Sequence, residues 1–196
     1  MYLFFDTETT GLPRSWKAPL TDVDNWPRLV QIAWILADEE GNSVKQQSYI
    51  VKPEGFVIPD AVARIHRINT QRALEEGSPI SGVTQEFLDD LKLSNYLIAH
   101  NISFDLNVLA AEFIRLDLTL ETLMAKQHIC TKVESTDFCR LPRNKWPTLE
   151  ELHRVLFNEP LKDSHNAMVD VDACYRCFLE LKKLGIINLA ILKSPV

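Results

Sequence analysis

Apolar residues come along this chain in short blocks divided by polar and turn-forming stretches, and their spacing switches between strand and helix periods. Residues 1–5 are continuously apolar, as expected of a central strand covered on both faces. "RLVQIAWILAD" and "SVKQQSYIVKP" read as two further strands joined by the turn "EEGN". Between the first and second strands, "PRSWKAPLTDVDNWP" holds three prolines among scattered polar residues and reads as an irregular surface loop. "PDAVARIHRI" predicts a short helix or turn. "SGVTQEFLDDLK" sets Val83, Phe87, Leu88 and Leu91 on one helical face, with Ser81 as the predicted N-cap.

The pattern then alternates. "YLIAHN" predicts a strand, "SFDLNVLAAEFIRL" a helix with Ser103 near its start, and "QHICTKV" another strand. "TLEELHRVLF" opens on a capping-box signature, Thr148 standing three residues before Glu151. A last long helix is predicted from about Ser164 through "AMVDVDACYRCFLELKKLG", with Gly185 placed to stop it. Three leading strands in a meander, followed by alternating helices and strands, indicate an α/β fold: a mixed sheet with helices packed on it.

A length of 196 residues suits one sizeable core, in a single domain over residues 1–185 with a short C-terminal extension at 186–196. No basic segment precedes Asp6, and no stretch approaches the ~18 apolar residues of a membrane span, so the expected location is the cytoplasm, without a membrane partner. The four cysteines, Cys130, Cys139, Cys174 and Cys177, are too few and too clustered for a secreted disulfide framework. Cys174 and Cys177 form a C-x-x-C that the other two could complete as a zinc site. Against this, "DACYRCFLELKKLG" reads as helix, and reduced thiols are the alternative. A net charge of −6 argues against a broad basic nucleic-acid-binding surface. It leaves room for a nucleic-acid substrate held in a small cleft by divalent cations, which reverse the local field.

Candidate chemistry begins where the first strand ends. Residues two apart in a strand project to the same side, so Asp6 and Glu8 of "FFDTETTGL" can point into one cavity. Like charges that close resist ionisation unless a cation sits between them, and a hard divalent ion with oxygen ligands is the simplest one. A solvated pair at a strand-to-turn junction is the other reading. Asp105, between Phe104 and Leu106 in the first turn of a helix, either joins such a site or complements the helix dipole. In "SHNAMVDVDACY" a regular helix rotates Asp172 by about 200° from Asp170, which assigns Asp170 inward and Asp172 to solvent or a supporting place. His165 would diverge from Asp170 by about 140° in a regular helix. The two converge only if His165 lies on the loop or the fraying first turn, where an imidazole that titrates near neutrality suits a general base.

Together, "FFDTETTGL", "LIAHNISFDLNVL" and "HNAMVD" resemble the three exonuclease motifs of the DnaQ-like, DEDDh-type 3′–5′ exonucleases, in that family's order and across residues 1–183. The resemblance implies the ribonuclease H-like fold, a mixed five-stranded sheet made of a three-stranded antiparallel meander plus parallel strands, flanked by helices. It implies that Asp6, Glu8, Asp105 and Asp170 hold two Mg²⁺ or Mn²⁺ ions, and that His165 is the general base. Nucleoside 5′-monophosphates would then leave one at a time from a 3′ end. It also puts Thr9 near the 3′ hydroxyl and Leu12 against the last bases. Asn101 and Phe104 become candidates for phosphate or sugar contact and for base stacking, with turn or core roles as alternatives. "VARIHRI" is similar to a family segment written V-H-G-I, whose histidine contacts substrate; His66 is carried over, although Arg67 replaces the glycine.

"CRLPRNKWP" gathers Arg140, Arg143, Lys145 and Trp146 before a helix, either to meet a single strand's phosphates and bases or as a solvated loop. The family includes DNA proofreading subunits, RNA-trimming enzymes and small-oligonucleotide degraders, so the expected partner is the 3′ end of single-stranded DNA or RNA. A homodimer is open to the chain, as to many relatives. A polymerase partner is unsupported, since little chain remains after Gly185 to bind one. The competing class is a non-catalytic nucleic-acid-binding or scaffold domain, which would have lost a carboxylate or the histidine; all five are present.

Overall fold

Strand β1 (Tyr2–Thr9) is the middle strand of a five-stranded sheet whose order is β3–β2–β1–β4–β5. The structure, a computed structural model, describes residues 1–190. β2 (Leu29–Ala37) and β3 (Ser43–Ile50) complete an antiparallel meander with β1, while β4 (Tyr96–Ala99) and β5 (Gln127–Cys130) run parallel to it. This is the expected ribonuclease H-like arrangement. The helices are α1 (Asp60–His66), α2 (Thr70–Glu76), α3 (Ile80–Leu93), α4 (Ile102–Arg115), α5 (Glu121–Met124), α6 (Thr131–Glu134), α7 (Thr136–Cys139), α8 (Leu149–Phe157) and α9 (Ala167–Lys183).

Because β1 is apolar on both faces, its alternate residues feed two cores. Leu3 and Phe5 pack with Trp34 and Leu36 beneath α3 and α4, against Phe87, Leu91, Val108 and Phe113. Tyr2 and Phe4 pack on the other face with Ile35, against Val171, Cys174, Phe178 and Leu181 of α9 and Leu152 of α8. The sheet is thus sandwiched, and the parity of a β1 position decides which helical layer it meets. β2 is buried along its whole length, whereas edge strand β3 alternates toward solvent. The antiparallel register slips between Glu8 and Thr9, a bulge at the point where β1 leaves the core.

Three boundaries differ from the sequence reading. Ser81 does not cap its helix: α3 begins at Ile80, with Pro79 at the cap, its ring holding φ at −57° and Ile80 buried. "QHICTKV" is strand only to Cys130, and Thr131 opens α6. α9 starts at Ala167 rather than near Ser164. Asp163 and His165 hold positive φ values of 55° and 67°, which no helix continues through, and the Asn166 side chain caps the first turn by accepting from Met168 N–H at 3.1 Å. The capping box of α8 is formed as predicted: Thr148 Oγ1 accepts from Glu151 N–H at 3.2 Å, and Glu151 Oε2 accepts from Thr148 N–H at 2.8 Å. Gly185, at φ 71°, follows the end of α9. Residues 191–196 of the expected extension lie outside the described residues. Among the described residues, no helix is long and apolar enough to cross a membrane.

Candidate active site

The last residues of β1 deliver two carboxylates. Asp6 and Glu8 occupy even positions and share the face that Tyr2 and Phe4 turn toward α9. Thr7, between them, projects to the other face. There its hydroxyl donates to Oδ1 of Asp105 at 2.6 Å, and its backbone N–H donates to the same oxygen at 3.1 Å. Asp105 is buried in the first turn of α4, which follows β4 through Asn101, at a left-handed φ of 77°. Asparagine tolerates that conformation better than most residues, and it allows the chain to turn sharply from strand into helix.

Asp170 arrives from the first turn of α9, and its Oδ2 accepts the backbone N–H of His165 at 2.8 Å. His165 stands on the loop before the helix, exposed, so the divergence expected within a regular helix does not arise. Ligand atoms of Glu8, His165 and Asp170 all lie within 4.8 Å of one another. Asp6 and Asp105 adjoin this trio, close enough that Asp6 feels the charges of Asp105, Asp170 and Glu8.

Burial, and then those three neighbours, raises the Asp6 carboxyl well above the usual range. Burial followed by Asp170 and Asp105 pushes Glu8 up to about 8. Burial carries Asp105 up to about 7 despite the Thr7 hydrogen bonds, which favour its charged form. Asp170 is also raised by burial, against the opposing His165 N–H. Four carboxylates that hinder one another's ionisation call for cationic charge at their centre. Carboxylate oxygens of this kind suit a hard divalent cation.

Two clefts meet at His165. One, of about 430 Å³, is lined by Glu8, Thr9, Leu12, Val62, Ile65, His66 and Phe104. Four of the five residues expected at the terminal nucleotide therefore come together. Leu12 is 74% exposed, and the Phe104 ring lies 5.8 Å from that of Trp16. Nδ1 of the buried His66 accepts the Ile68 N–H at 3.2 Å, which leaves the proton of the neutral ring on Nε2. Burial first, and then the charge of His165, holds the His66 pKa below the ordinary value. The second cleft, of about 290 Å³, is lined by Asp6, His100, Asp170 and the first residues of α8. Asn101 lines neither cleft; its Oδ1 accepts from Lys132 Nζ at 2.9 Å.

Residues 3–178 match the RNase T exonuclease family. The chain belongs to that family. It is a DnaQ-like, DEDDh-type member with the ribonuclease H-like fold. It is 30% identical over 202 aligned residues to a PolC-type DNA polymerase III of Streptococcus mutans, matching all of this chain and 12% of that protein. Among solved structures, exonuclease I superposes with a TM-score of 0.76 at 19% identity, over 93% of this chain and 40% of that one. The E. coli exonuclease I complex with a dT13 oligonucleotide gives 0.74 at 20% identity over the same shares. The chain thus spans an eighth of the polymerase and two fifths of exonuclease I, and at these identities the structural likeness speaks for the fold.

Arg67 takes a left-handed φ of 62° at the end of α1, the conformation that explains a glycine in the V-H-G-I segment of the family. Its guanidinium lies 3.5 Å from Asp163, on the loop that carries His165. Sequence reasoning missed Thr7 and His100. The signal for Thr7 was its odd position between two even carboxylates, which sends it to the face of α4. For His100 it was a polar ring directly after a buried strand. Burial lowers His100 to about 4, so the ring is neutral: Nε2–H donates to the Pro147 carbonyl at 3.1 Å, and Nδ1 accepts from the Thr131 hydroxyl at 3.0 Å. The cysteines are free thiols, with Cys174 and Cys177 buried in the core under α9.

Proposed function

We propose that this chain is a divalent-metal-dependent 3′–5′ exonuclease that releases nucleoside 5′-monophosphates from single-stranded or frayed nucleic-acid 3′ ends. The observation that carries this reading is the convergence of Asp6, Glu8, Asp105, Asp170 and His165 from three separate elements on one cage. The four carboxylates would hold two Mg²⁺ or Mn²⁺ ions, which supply charge stabilisation for the attacking and leaving oxygens of an in-line displacement.

The chain's own groups do the rest. His165 is fixed at its backbone by Asp170 while its imidazole stays exposed, so the ring is free to take a proton from an attacking water. Thr9 meets the 3′ hydroxyl at the mouth of the cleft. Leu12 wedges against the last bases, Phe104 stacks on one of them, and His66 meets the terminal nucleotide from the wall of the same cleft. Asn101 holds the ammonium of Lys132 through its amide oxygen and is left as a candidate for phosphate or sugar contact. The dT13 strand bound by exonuclease I supports a single-stranded substrate.

The test is digestion of end-labelled single-stranded DNA and RNA with Mg²⁺, with Mn²⁺ and with EDTA, with the products identified as nucleotides. Mononucleotides bearing a 5′-phosphate, released first from the 3′ end and only with metal, are expected. Release from the 5′ end, or activity untouched by EDTA, would sink the proposal.

A further inference from the structure

The basic, tryptophan-bearing segment before α8 has no role in the cage, yet it is built into the rim beside it. Trp146 is 59% exposed, and the ammonium of Lys132 lies 4.8 Å from its ring centroid. Lys132 is not a loose cation: Asn101 Oδ1 accepts from it at 2.9 Å, and Asn101 is the residue whose positive φ opens α4. The imidazole of His100 then ties both partners down. One ring nitrogen bonds the carbonyl of Pro147, next after Trp146, and the other bonds the hydroxyl of Thr131, next before Lys132. His100 also lines the second cleft together with Asp6 and Asp170, and that cleft runs to Thr148, two residues beyond Trp146.

A large exposed aromatic held by a fixed cation, two residues from the Thr148 rim of a cleft that starts at the carboxylates, matches the chemistry of a nucleobase and its phosphate. The terminal nucleotide is accounted for on the other side of His165, so the strand 5′ to the scissile phosphate needs a path out. We infer that Trp146, braced by Lys132, is the stacking platform for an upstream base of a single strand leaving through the second cleft. Arg140 and Arg143 lie on the same segment, exposed and at left-handed φ values of 48° and 61°, and would be its cations for that strand's phosphates. A duplex has its bases stacked internally and cannot use such a platform, so the feature selects single strands. The inference rests on the exonuclease reading for its direction along the strand, but not for the platform itself.

The test compares wild type with Trp146→Ala and Trp146→Phe, using dT10, rU10 and the matching dinucleotides. Because Trp146 is exposed, neither change opens the core. Trp146→Ala should lower the preference for the ten-residue strand over its dinucleotide by roughly 5- to 150-fold, the range of one base–aromatic stack, through KM rather than kcat. Trp146→Phe should restore most of it. An unchanged length preference in Trp146→Ala would overturn the inference, as would an equal loss in kcat on both substrates. Should the wild type release no nucleotide at all, the exonuclease reading fails and anisotropy of labelled dT10 and rU10 decides the platform alone. Binding at least fivefold weaker in Trp146→Ala supports it; equal binding, or none by the wild type, overturns it.

Discussion

Thr7 donates both its hydroxyl and its backbone N–H to one oxygen of Asp105, a residue 98 positions away in the chain. The bond joins the central strand to α4 and sets the Asp105 carboxylate from behind, on the face opposite Asp6 and Glu8. Groups that orient a metal-binding carboxylate in this way commonly carry a tenfold to hundredfold share of metal affinity or activity. Thr7→Val keeps the shape and removes the hydroxyl. The expected outcome is a rise of about 10- to 100-fold in the Mg²⁺ concentration needed for half-maximal rate, with Thr7→Ser close to wild type. An unshifted metal curve in the valine variant would remove Thr7 from the site.

Asp170→Asn retains an oxygen for the His165 N–H but gives up a charge in the cage. Single-turnover rates on a labelled strand should drop by on the order of a thousandfold or more, with the melting midpoint preserved. Turnover near the wild-type level would take Asp170 out of the chemistry.

His165→Ala addresses the proton rather than the metal. Its rate should fall by about a hundredfold or more, while Mn²⁺ binding followed by electron paramagnetic resonance stays close to wild type. His165 lies within 4.8 Å of Glu8 and Asp170, so the opposite result has a clear meaning. Lost Mn²⁺ binding would make the imidazole a ligand.

The raised carboxylates couple stability to pH. Glu8 moves from an ordinary 4.5 to about 8, and Asp105 from 3.8 to about 7, in both cases chiefly by burial. Between these limits the folded chain keeps protons that the unfolded chain has already released, so stability falls as pH rises. In EDTA, unfolding free energies from urea titrations should therefore decline steadily from about pH 5 to pH 8, by an amount on the order of a few kcal/mol. Millimolar Mn²⁺ should flatten the curve, because a bound cation removes the reason to hold the protons. A metal-free curve that rises over the same window would contradict the cage.

Arg67 adopts a conformation that glycine enters without penalty and other residues enter at a cost of about 1–2 kcal/mol. Its pairing with Asp163 is between two exposed side chains and returns little. Arg67→Gly should therefore hold the melting midpoint or raise it by up to about 3 °C. A clear drop would mean that the contact across to the His165 loop matters more than the backbone.

Much of this architecture could be read directly from residue order. The apolar run into Asp6, the prolines of the 13–27 loop and the Thr148–Glu151 pair each signal through neighbours in sequence, and each stands in the structure as expected. The placement of His165 was legible as a condition: it had to leave the helix, and its positive φ does that. What stayed hidden depends on distant partners. The bond from Lys132 to the Asn101 amide joins residues 31 apart, and the use of Thr7 becomes visible only once α4 is packed behind β1. The four-residue helices α5, α6 and α7 are shorter than any window in which a period can be recognised. α2 lies between an Asn69 cap and Gly77 without a strong apolar stripe, and the sequence reading passed over it.

The alternation along β1 makes the segment a partition with different furniture on its two sides. One residue added or removed between Phe4 and Glu8 would swing the acids into the compartment of α3 and α4 and bring threonines round to face α9. Insertions in the proline-rich loop that follows would change nothing of the kind. The count of residues from Phe4 to Glu8 is therefore held by the fold in a way that the count of the loop is not.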